Sequence, residues 1–303
     1  MLNITLKQLR YFEALARLGH FGQAAEVCAV TQPALSMQMK ELEAVLGAPL
    51  LERAPRQVRL TGFGELFLAR AQTILREVSG LEDLARLAAA QASGARMAGR
   101  LRIGVIPTVA PYLLPKVIAR LTALYPGLEL SLRETVTPRL LQELQEGRLD
   151  CALVALPVSE PGLEEMALFS EAFVLVRPEA DAGRPVPDPA ALREMRLLLL
   201  EEGHCFRDQA LSFCAMSGVR AREVMDGSSL ATLVQMVGAG IGVTLIPEMA
   251  VEVETRSAAV SVARFREPQP MRQVGLVWRR SNPLAEALRE IAGAVQAAVV
   301  GAG

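Results

Sequence analysis

Short apolar runs alternate with longer helix-like segments between residues 101 and 156. The runs LRIGVIP (101–107), LELSLRE (128–134) and CALVAL (151–156) have the length and composition of strands. The two segments between these runs each begin at a proline and are long enough to form a helix. Strands and helices that alternate in this way predict a parallel sheet covered by helices, which is an α/β fold.

The rest of this α/β region places three polar positions at the ends of predicted strands. Thr108 directly follows the first strand, Thr137 follows the second, and Cys205 follows an apolar run at 197–200. Because ligands bind at the carboxyl ends of such strands, we expect these positions to converge on one crevice. Further strands are predicted near 173–176, 242–246 and 273–278, and further helices near 206–216, 229–239 and 284–299. The glycine run at 238–242 is not a dinucleotide fingerprint, because it follows a helix and precedes a strand.

The first 62 residues predict a separate helical module. Apolar residues recur on one face of the segment 32–46, which Thr31 can cap and Gly47 can end. A short helix, a tight turn and a second helix with a polar outer face form a helix-turn-helix, and the arginine-rich segment after it predicts a β-ribbon wing. Spacing alone equally fits a small helical domain with a solvated charged face. The predicted DNA contacts are Thr31, Gln32, Pro33, Ser36, Met37, Lys40, Arg53, Arg56 and Arg59.

A long helix is predicted from residue 63 to about residue 92, because the segment lacks proline and its apolar positions step by four and three residues. A lone helix with such a stripe needs a partner, so we expect a dimer through this segment. The alternative is that the stripe packs on the chain's own body. The stretch ASGARMAGR (92–100) then predicts a flexible hinge. The residues expected at the dimer seam include Phe67, Ile74, Val78 and Leu81.

Composition narrows the class of protein. A net charge of −1, with 51% hydrophobic and 21% charged residues, fits a globular chain and excludes a strongly basic one. The N-terminus carries charges inside its apolar stretch, and no run of about 18 apolar residues occurs, so we expect a soluble, cytoplasmic protein with no membrane span. His20 and His204 lie 184 positions apart and no CxxC pair is present, so we expect neither a metal site nor a cofactor.

The segment GHCFRDQALSFC (203–214) holds two of the four cysteines. Cys205 lies beside His204 and near Arg207, which can stabilise a thiolate, whereas Asp208 opposes one. If the segment is helical, the Cα atoms of Cys205 and Cys214 lie about 13–14 Å apart. A disulfide needs a Cα separation below roughly 7 Å, so the pair could form only if the segment refolded.

Most cysteines are buried structural residues, and this is the interpretation that we favour for Cys28 and Cys151, whose neighbours are apolar. The neighbours of Cys205 are polar and charged, and Gly203 indicates a helix start beside it. These residues leave both a reactive and a structural Cys205 open.

The stretch 21–64 closely resembles the winged helix-turn-helix of LysR-type transcriptional regulators. The matching parts are Ala24-Ala25, the run 31–36, Leu42-Glu43, Leu46-Gly47, the run 51–53 and Leu60-Thr61. The resemblance implies a winged helix-turn-helix at 1–62, a linker helix at 63–92 that pairs two chains on dyad-symmetric double-stranded DNA, and a regulatory domain at 93–303. That domain would have two periplasmic-binding-protein-like α/β lobes, the first at about 94–160 and 270–303 and the second at about 161–269. It also implies a dimer of dimers and contact with RNA polymerase.

The segment 197–214 is similar to the sensing segment of the peroxide-responsive branch of this family. Supporting matches are IPTVAPYLLPKVI (106–118), RLDCALVAL (148–156) and VGLVWRRSNPL (274–284), so the resemblance covers essentially the whole chain. It implies a non-enzymatic activator of antioxidant genes in which hydrogen peroxide oxidises Cys205, Cys214 resolves the product as a disulfide, and a glutaredoxin- or thioredoxin-type system reduces it. The implied peroxide pocket consists of Thr108, Thr137, His204, Arg207, Asp208, Gln209 and Arg272.

Two other functions remain open. The first is a LysR-type regulator that binds a small organic anion between its lobes, with incidental cysteines. The second is a thiol peroxidase enzyme, although a 62-residue DNA-binding module and the lack of a CxxC motif count against it.

Overall fold

A computed structural model describes residues 3–54, 57–92, 99–213 and 225–300 of the chain. The chain folds into two compact units, Met1–Asp83 and Leu84–Gly303. Two predicted site residues, Arg56 and Cys214, lie outside the described residues, as does the part of the predicted hinge at 93–98. The last two hinge positions belong to a strand, so that end of the predicted hinge is wrong. The predicted domain and lobe boundaries stay predictions.

The first unit is a small helical module with a two-stranded ribbon. α1 begins with a capping box in which Thr5 Oγ1 accepts from the Gln8 amide at 3.2 Å and Gln8 Oε1 accepts from the Thr5 amide at 3.0 Å. Antiparallel pairing of β1 with β2 forms the predicted wing. Its elements are α1 (Leu6–Leu18), α2 (Phe21–Val27), α3 (Gln32–Leu46), β1 (Leu51–Ala54), β2 (Gln57–Leu60) and the first part of α4 (Gly62–Ala92).

α3 has the two faces that the sequence predicts. Thr31 caps its start and Gly47, at a φ of 69°, ends it in the left-handed conformation that favours glycine. The inner face is buried through Leu35, Met39 and Leu42 and packs on α1 and α2. The opposite face is therefore available to a partner.

α4 differs from its prediction in the first turns. Phe67 is half-buried and its ring centroid lies 5.5 Å from that of Phe12, in an edge-to-face contact within the first unit. Ala71 is buried as well. Phe67 of the predicted dimer seam and Ala71, four residues further along the same apolar stripe, thus pack on the chain's own body, which was the alternative. Ile74 and Leu81 are 46% and 65% exposed, so the apolar stripe beyond Ala71 has no such cover within the described residues.

The imidazole of His20 caps α2. Its Nδ1 accepts from the amides of Gly22 and Gln23 at 3.1 and 3.4 Å. We expect His20→Ala to lower the free energy of unfolding of the first unit by about 1 kcal/mol, because two amides lose their acceptor. Native-state hydrogen exchange of the α1–α3 amides measures this change. His20→Ser supplies a hydroxyl oxygen as the acceptor in place of Nδ1 and should lose only a few tenths of that, so equal losses in the two variants would contradict the capping role of His20.

The second unit is an α/β domain. Its elements are β3 (Gly99–Val105), α5 (Ala110–Leu124), β4 (Leu128–Glu134), α6 (Thr137–Gln145), β5 (Cys151–Leu156), β6 (Leu163–Pro178), α7 (Pro189–Glu194), β7 (Leu197–Leu200), α8 (Cys205–Phe213), β8 (Met225–Gly227), α9 (Leu230–Gly238), β9 (Val243–Pro247), α10 (Val251–Glu254), β10 (Val260–Arg264), β11 (Met271–Arg279) and α11 (Ala285–Val300). Within the described residues, the strands form one sheet in the order β4-β3-β5-β11-β6-β9-β7-β8, and β10 also pairs with β6.

The sheet joins two lobes with separate cores. β3 pairs in parallel with β4 and β5, as the alternating pattern predicts, and these strands with α5, α11 and β11 surround the first core. The second core lies among β7, β9, α8 and α9. β6 is 16 residues long, much longer than the predicted strand at 173–176. It contributes Leu163 and Leu168 to the first core and Phe173–Val176 to the second, so one continuous strand links the lobes.

Candidate functional site

The Cys205 thiol lies where the two lobes meet. Gly203, at a φ of 93°, turns the chain out of β7, and Cys205 is the first residue of α8. Although α8 belongs to the second lobe, the half-buried Cys205 side chain packs against the core of the first. A Cβ built on Gly203 would lie 3.7 Å from Cγ2 of Val136 in the first lobe. The thiol is free, and it faces residues of both lobes.

Thr108 and Arg272 form a buried hydrogen-bonded pair beside α8. Thr108 follows β3 and is 2% exposed. Arg272, on β11, donates from Nη1 to Thr108 Oγ1 at 2.8 Å and from Nη2 to the Thr108 carbonyl at 2.9 Å. The Arg272 guanidinium also lies 5.7 Å from the ring centroid of Phe206, the residue after Cys205. Two predicted pocket residues that are 164 positions apart are therefore in direct contact.

A carboxylate that sequence reasoning missed neutralises Arg272. Glu171, on β6, accepts from Arg272 Nε at 2.8 Å, and its other oxygen accepts from the Met249 amide at 2.9 Å. The Arg272 side chain is 0% exposed and that of Glu171 5% exposed. A buried charge is tolerated only with such a partner. The sequence signal for this residue was a single acid, Glu171, directly before the apolar run 172–176.

Two predicted pocket oxygens are buried without a hydrogen-bond partner among the described residues. Thr137 Oγ1 is at the first residue of α6, next to Val136, and Gln209 Oε1 is on α8. Gln209 is four residues after Cys205 and therefore on the same side of the helix. Buried polar atoms are nearly always paired in folded proteins, so these two unpaired acceptors are candidates for hydrogen bonds from a small ligand.

The neighbours of Cys205 differ from the cationic pair that the sequence predicts. Burial lowers the pKa of His204, and the Glu201 carboxylate opposes this shift only in part. The neutral imidazole is thus favoured, and it can exchange hydrogen bonds but adds no positive charge. Arg207 Nη1 donates to the Leu200 carbonyl at 2.8 Å, which ties the start of α8 to β7. Asp208 is exposed in the first turn of α8.

The helical geometry of α8 restricts which cysteines can pair. Nine helical residues place the Cα of Phe213 about 12 Å from that of Cys205. A disulfide requires a Cα separation below roughly 7 Å, so the far end of α8 is out of reach of Cys205 while the helix is intact. Cys214 lies outside the described residues.

The predicted DNA contacts lie mainly on the outer face of α3. Thr31 Oγ1 accepts from the Ala34 amide at 3.4 Å, so this residue also has a structural role as the cap of the helix. Ser36 is half-buried, and Arg59 is exposed on β2 opposite Glu52. The Arg53 side chain and all of Arg56 lie outside the described residues. The exposed members of the set on α3 are Gln32, Pro33, Met37 and Lys40.

Neither a metal site nor a membrane span occurs in the described part of the chain. No group of three or more metal-ligating side chains lies together there. No described helix is long and apolar enough to cross a membrane.

Family models match the sequences of both units of the chain. A family model described as LysR substrate binding domain matches residues 94–299, and one described as bacterial regulatory helix-turn-helix protein, lysR family, matches residues 6–65. A Streptomyces viridosporus protein named probable hydrogen peroxide-inducible genes activator is 45% identical over 301 residues, covering 97% of this chain and 94% of that protein.

Two solved structures are similar over nearly the full chain. A full-length OxyR variant from Pseudomonas aeruginosa has a TM-score of 0.73 at 37% identity, and the match covers 97% of this chain and 95% of that one. An H₂O₂-bound mutant of Corynebacterium glutamicum OxyR has a TM-score of 0.66 at 36% identity, with 98% and 93% covered.

Proposed function

Because this chain belongs to the LysR family of bacterial transcriptional regulators, we propose that it is a DNA-binding regulator of antioxidant genes that senses hydrogen peroxide through Cys205. One observation carries the proposal. A free thiol begins a helix at the junction of two lobes. Gln209 on the same helix has a buried oxygen without a partner among the described residues, and so does Thr137 at the start of α6 in the first lobe. Similar proteins carry names that refer to hydrogen peroxide.

The first chemical step is attack of the Cys205 thiolate on one oxygen of hydrogen peroxide. A sulfur–oxygen bond forms, the oxygen–oxygen bond breaks, and the leaving hydroxide takes a proton to become water. Peroxide can donate its two hydrogens to Thr137 Oγ1 and Gln209 Oε1, which would hold it for in-line attack. The start of α8 supplies partial positive charge, because its first amides have no intrahelical acceptor.

The second step is attack of the Cys214 thiol on the Cys205 sulfenic acid. A sulfur–sulfur bond forms and water leaves, so one peroxide and two thiols give one disulfide and two waters. A loop of about ten residues closed by a disulfide is worth about 2.7 kcal/mol in the chain-entropy model. A glutaredoxin- or thioredoxin-type dithiol would return two electrons and reset the switch.

Unwinding of α8 is the conformational signal. The inner face of this helix buries Phe206 and Ala210 in the second core, and the Phe206 ring lies 4.8 Å from that of Phe173 on β6. Since β6 links both lobes, loss of α8 packing disturbs the strand that fixes one lobe relative to the other. We propose that this changes the contacts between copies of the regulatory domain.

The output is a change in DNA engagement. In the proposed assembly, the exposed stripe on α4 pairs two chains, two such dimers associate, and the α3 faces contact dyad-symmetric promoter DNA beside RNA polymerase. The residues proposed to face DNA are Thr31, Gln32, Pro33, Ser36, Met37 and Lys40 around α3, and Arg53, Arg56 and Arg59 in the wing segment.

A footprint of the full chain on promoter DNA tests the proposed function. The protein is reduced, divided, and treated or not treated with stoichiometric hydrogen peroxide before footprinting, and peptide mapping of the same samples reports the disulfides. We expect a shifted or shortened protected region together with a Cys205–Cys214 bond. An unchanged footprint with both thiols still reduced would overturn the proposal in favour of the small-effector alternative.

A further inference from the structure

The segment 108–112 of the first lobe is tied to the segment 249–254 of the second lobe at two points. At the first point Arg272 donates to Thr108 and is held by Glu171, which in turn accepts from the Met249 amide. The residues at these two points are Thr108, Tyr112, Glu171, Met249, Glu254 and Arg272.

The second point is a direct hydrogen bond between the lobes. Tyr112, on α5, packs its ring against the second core, and its hydroxyl donates to Glu254 Oε1 at the end of α10 at 2.6 Å. Burial, followed by the hydrogen bond to Glu254, raises the pKa of the Tyr112 hydroxyl above its ordinary value. The hydroxyl therefore remains a donor at every pH at which the protein would function. The two partners are 142 positions apart.

The surroundings of the Cys205 sulfur depend on how the two lobes pack against each other. Its side chain packs against the first core from a helix of the second lobe, and Thr108 and Thr137 both belong to the first lobe. A small displacement of one lobe would move these hydroxyls relative to the sulfur while leaving α8 folded. A misplacement of about 1 Å is enough to slow an oriented reaction strongly.

We infer that Tyr112 and Glu254 are positioning residues for the peroxide reaction at Cys205. Their hydrogen bond holds the segment 108–112 against the second lobe, so that the first lobe presents its hydroxyls to the thiol. The bond lies outside the peroxide pocket and touches neither the sulfur nor the substrate. This inference rests on the proposed function, because it concerns the reaction rate of the same thiol.

Rates of Cys205 modification in the full-length reduced protein test the inference. Loss of the free Cys205 thiol is followed by quenching and mass spectrometry, once with hydrogen peroxide and once with iodoacetamide. Iodoacetamide needs a thiolate and access but no help from Thr108 or Thr137. We expect Tyr112→Phe to slow the peroxide reaction about tenfold, which corresponds to one hydrogen bond to a charged group, and to leave alkylation unchanged.

Variants at Glu254 provide the matched controls. Glu254→Ala removes the acceptor and should match Tyr112→Phe, and the double variant should be no slower than either single one. Glu254→Gln keeps an oxygen acceptor and should react at close to the wild-type rate. Because Glu254 is partly exposed on a short helix, these variants test the inference even if Tyr112→Phe folds poorly.

The outcomes separate the two proposals. A wild-type Cys205 that does not react with peroxide overturns the proposed function. A wild-type protein that reacts while Tyr112→Phe and Glu254→Ala keep its rate overturns only the positioning role. Equal slowing of the peroxide and iodoacetamide reactions also overturns it, because that result indicates a general loss of structure. Independent effects in the double variant overturn it as well, because they show that the two residues do not act through one shared hydrogen bond.

Discussion

Cys205→Ser is expected to abolish the peroxide-dependent change in the DNA footprint while leaving the footprint of the reduced protein in place. A serine hydroxyl is not ionised at neutral pH and does not attack peroxide, so neither the sulfenic acid nor the disulfide can form. The variant keeps the size and position of the side chain at the start of α8. Peptide mapping should then show no oxidised form of the segment 205–214.

Two other cysteines serve as controls for this result. Burial raises the pKa of the Cys28 thiol, and burial raises that of Cys151 well above the ordinary value, so both are poor nucleophiles at neutral pH. Cys28→Ser should keep the full peroxide response.

Cys214→Ser should still be oxidised at Cys205 but should stop at the sulfenic acid. A Cys205→Ser protein whose footprint responds to peroxide like the wild type would exclude the thiol mechanism.

Glu171→Ala is expected to lower the free energy of unfolding of the second unit by about 3–5 kcal/mol. The Arg272 side chain is 0% exposed, and alanine leaves its positive charge buried without a counter-charge. The same change removes the acceptor of the Met249 amide. Urea unfolding of the reduced full chain measures the loss, with the signal of Trp278, which lies on β11 in the second unit.

An exposed ion pair provides the comparison for Glu171. Arg264 and Glu248 also contact each other, but their side chains are 70% and 42% exposed, so Glu248→Ala should cost no more than about 1 kcal/mol. Replacing both members of the buried pair, in Glu171→Ala with Arg272→Met, should recover part of the loss, because no charge is then buried. A Glu171→Ala variant as stable as Glu248→Ala would show that Arg272 reaches water or another partner.

Local patterns in the sequence account for the parts of the fold that were predicted. The runs at 101–107, 128–134 and 151–156 form the parallel strands. The run at 151–156 is fully buried, as its continuous apolar sequence predicts, whereas the more polar run at 128–134 forms the exposed edge strand. The two faces of α3 follow from residues three and four apart. Helix ends at Gly19 and Gly47 follow from the left-handed conformation that glycine adopts readily.

Contacts between distant segments could not be predicted in this way. Tyr112 and Glu254 are 142 positions apart and Glu171 and Arg272 are 101 apart, and each residue taken alone looks like an ordinary surface polar residue. The length of β6 was missed because its first half lacks the alternation of a strand: the adjacent acids Glu164 and Glu165 are followed by four apolar residues. The preference of His204 for its neutral form follows from burial, which sequence neighbours do not reveal.

Hydrogen exchange of the α8 amides, before and after peroxide, tests the central claim most directly. The amides of residues 209–213 are protected by helical hydrogen bonds only while α8 is intact. In the full chain, stoichiometric peroxide is expected to form the Cys205–Cys214 disulfide and to remove this protection, and reduction by a dithiol should restore it. A disulfide that forms while residues 209–213 keep their protection, or lost protection without a disulfide, would contradict the account.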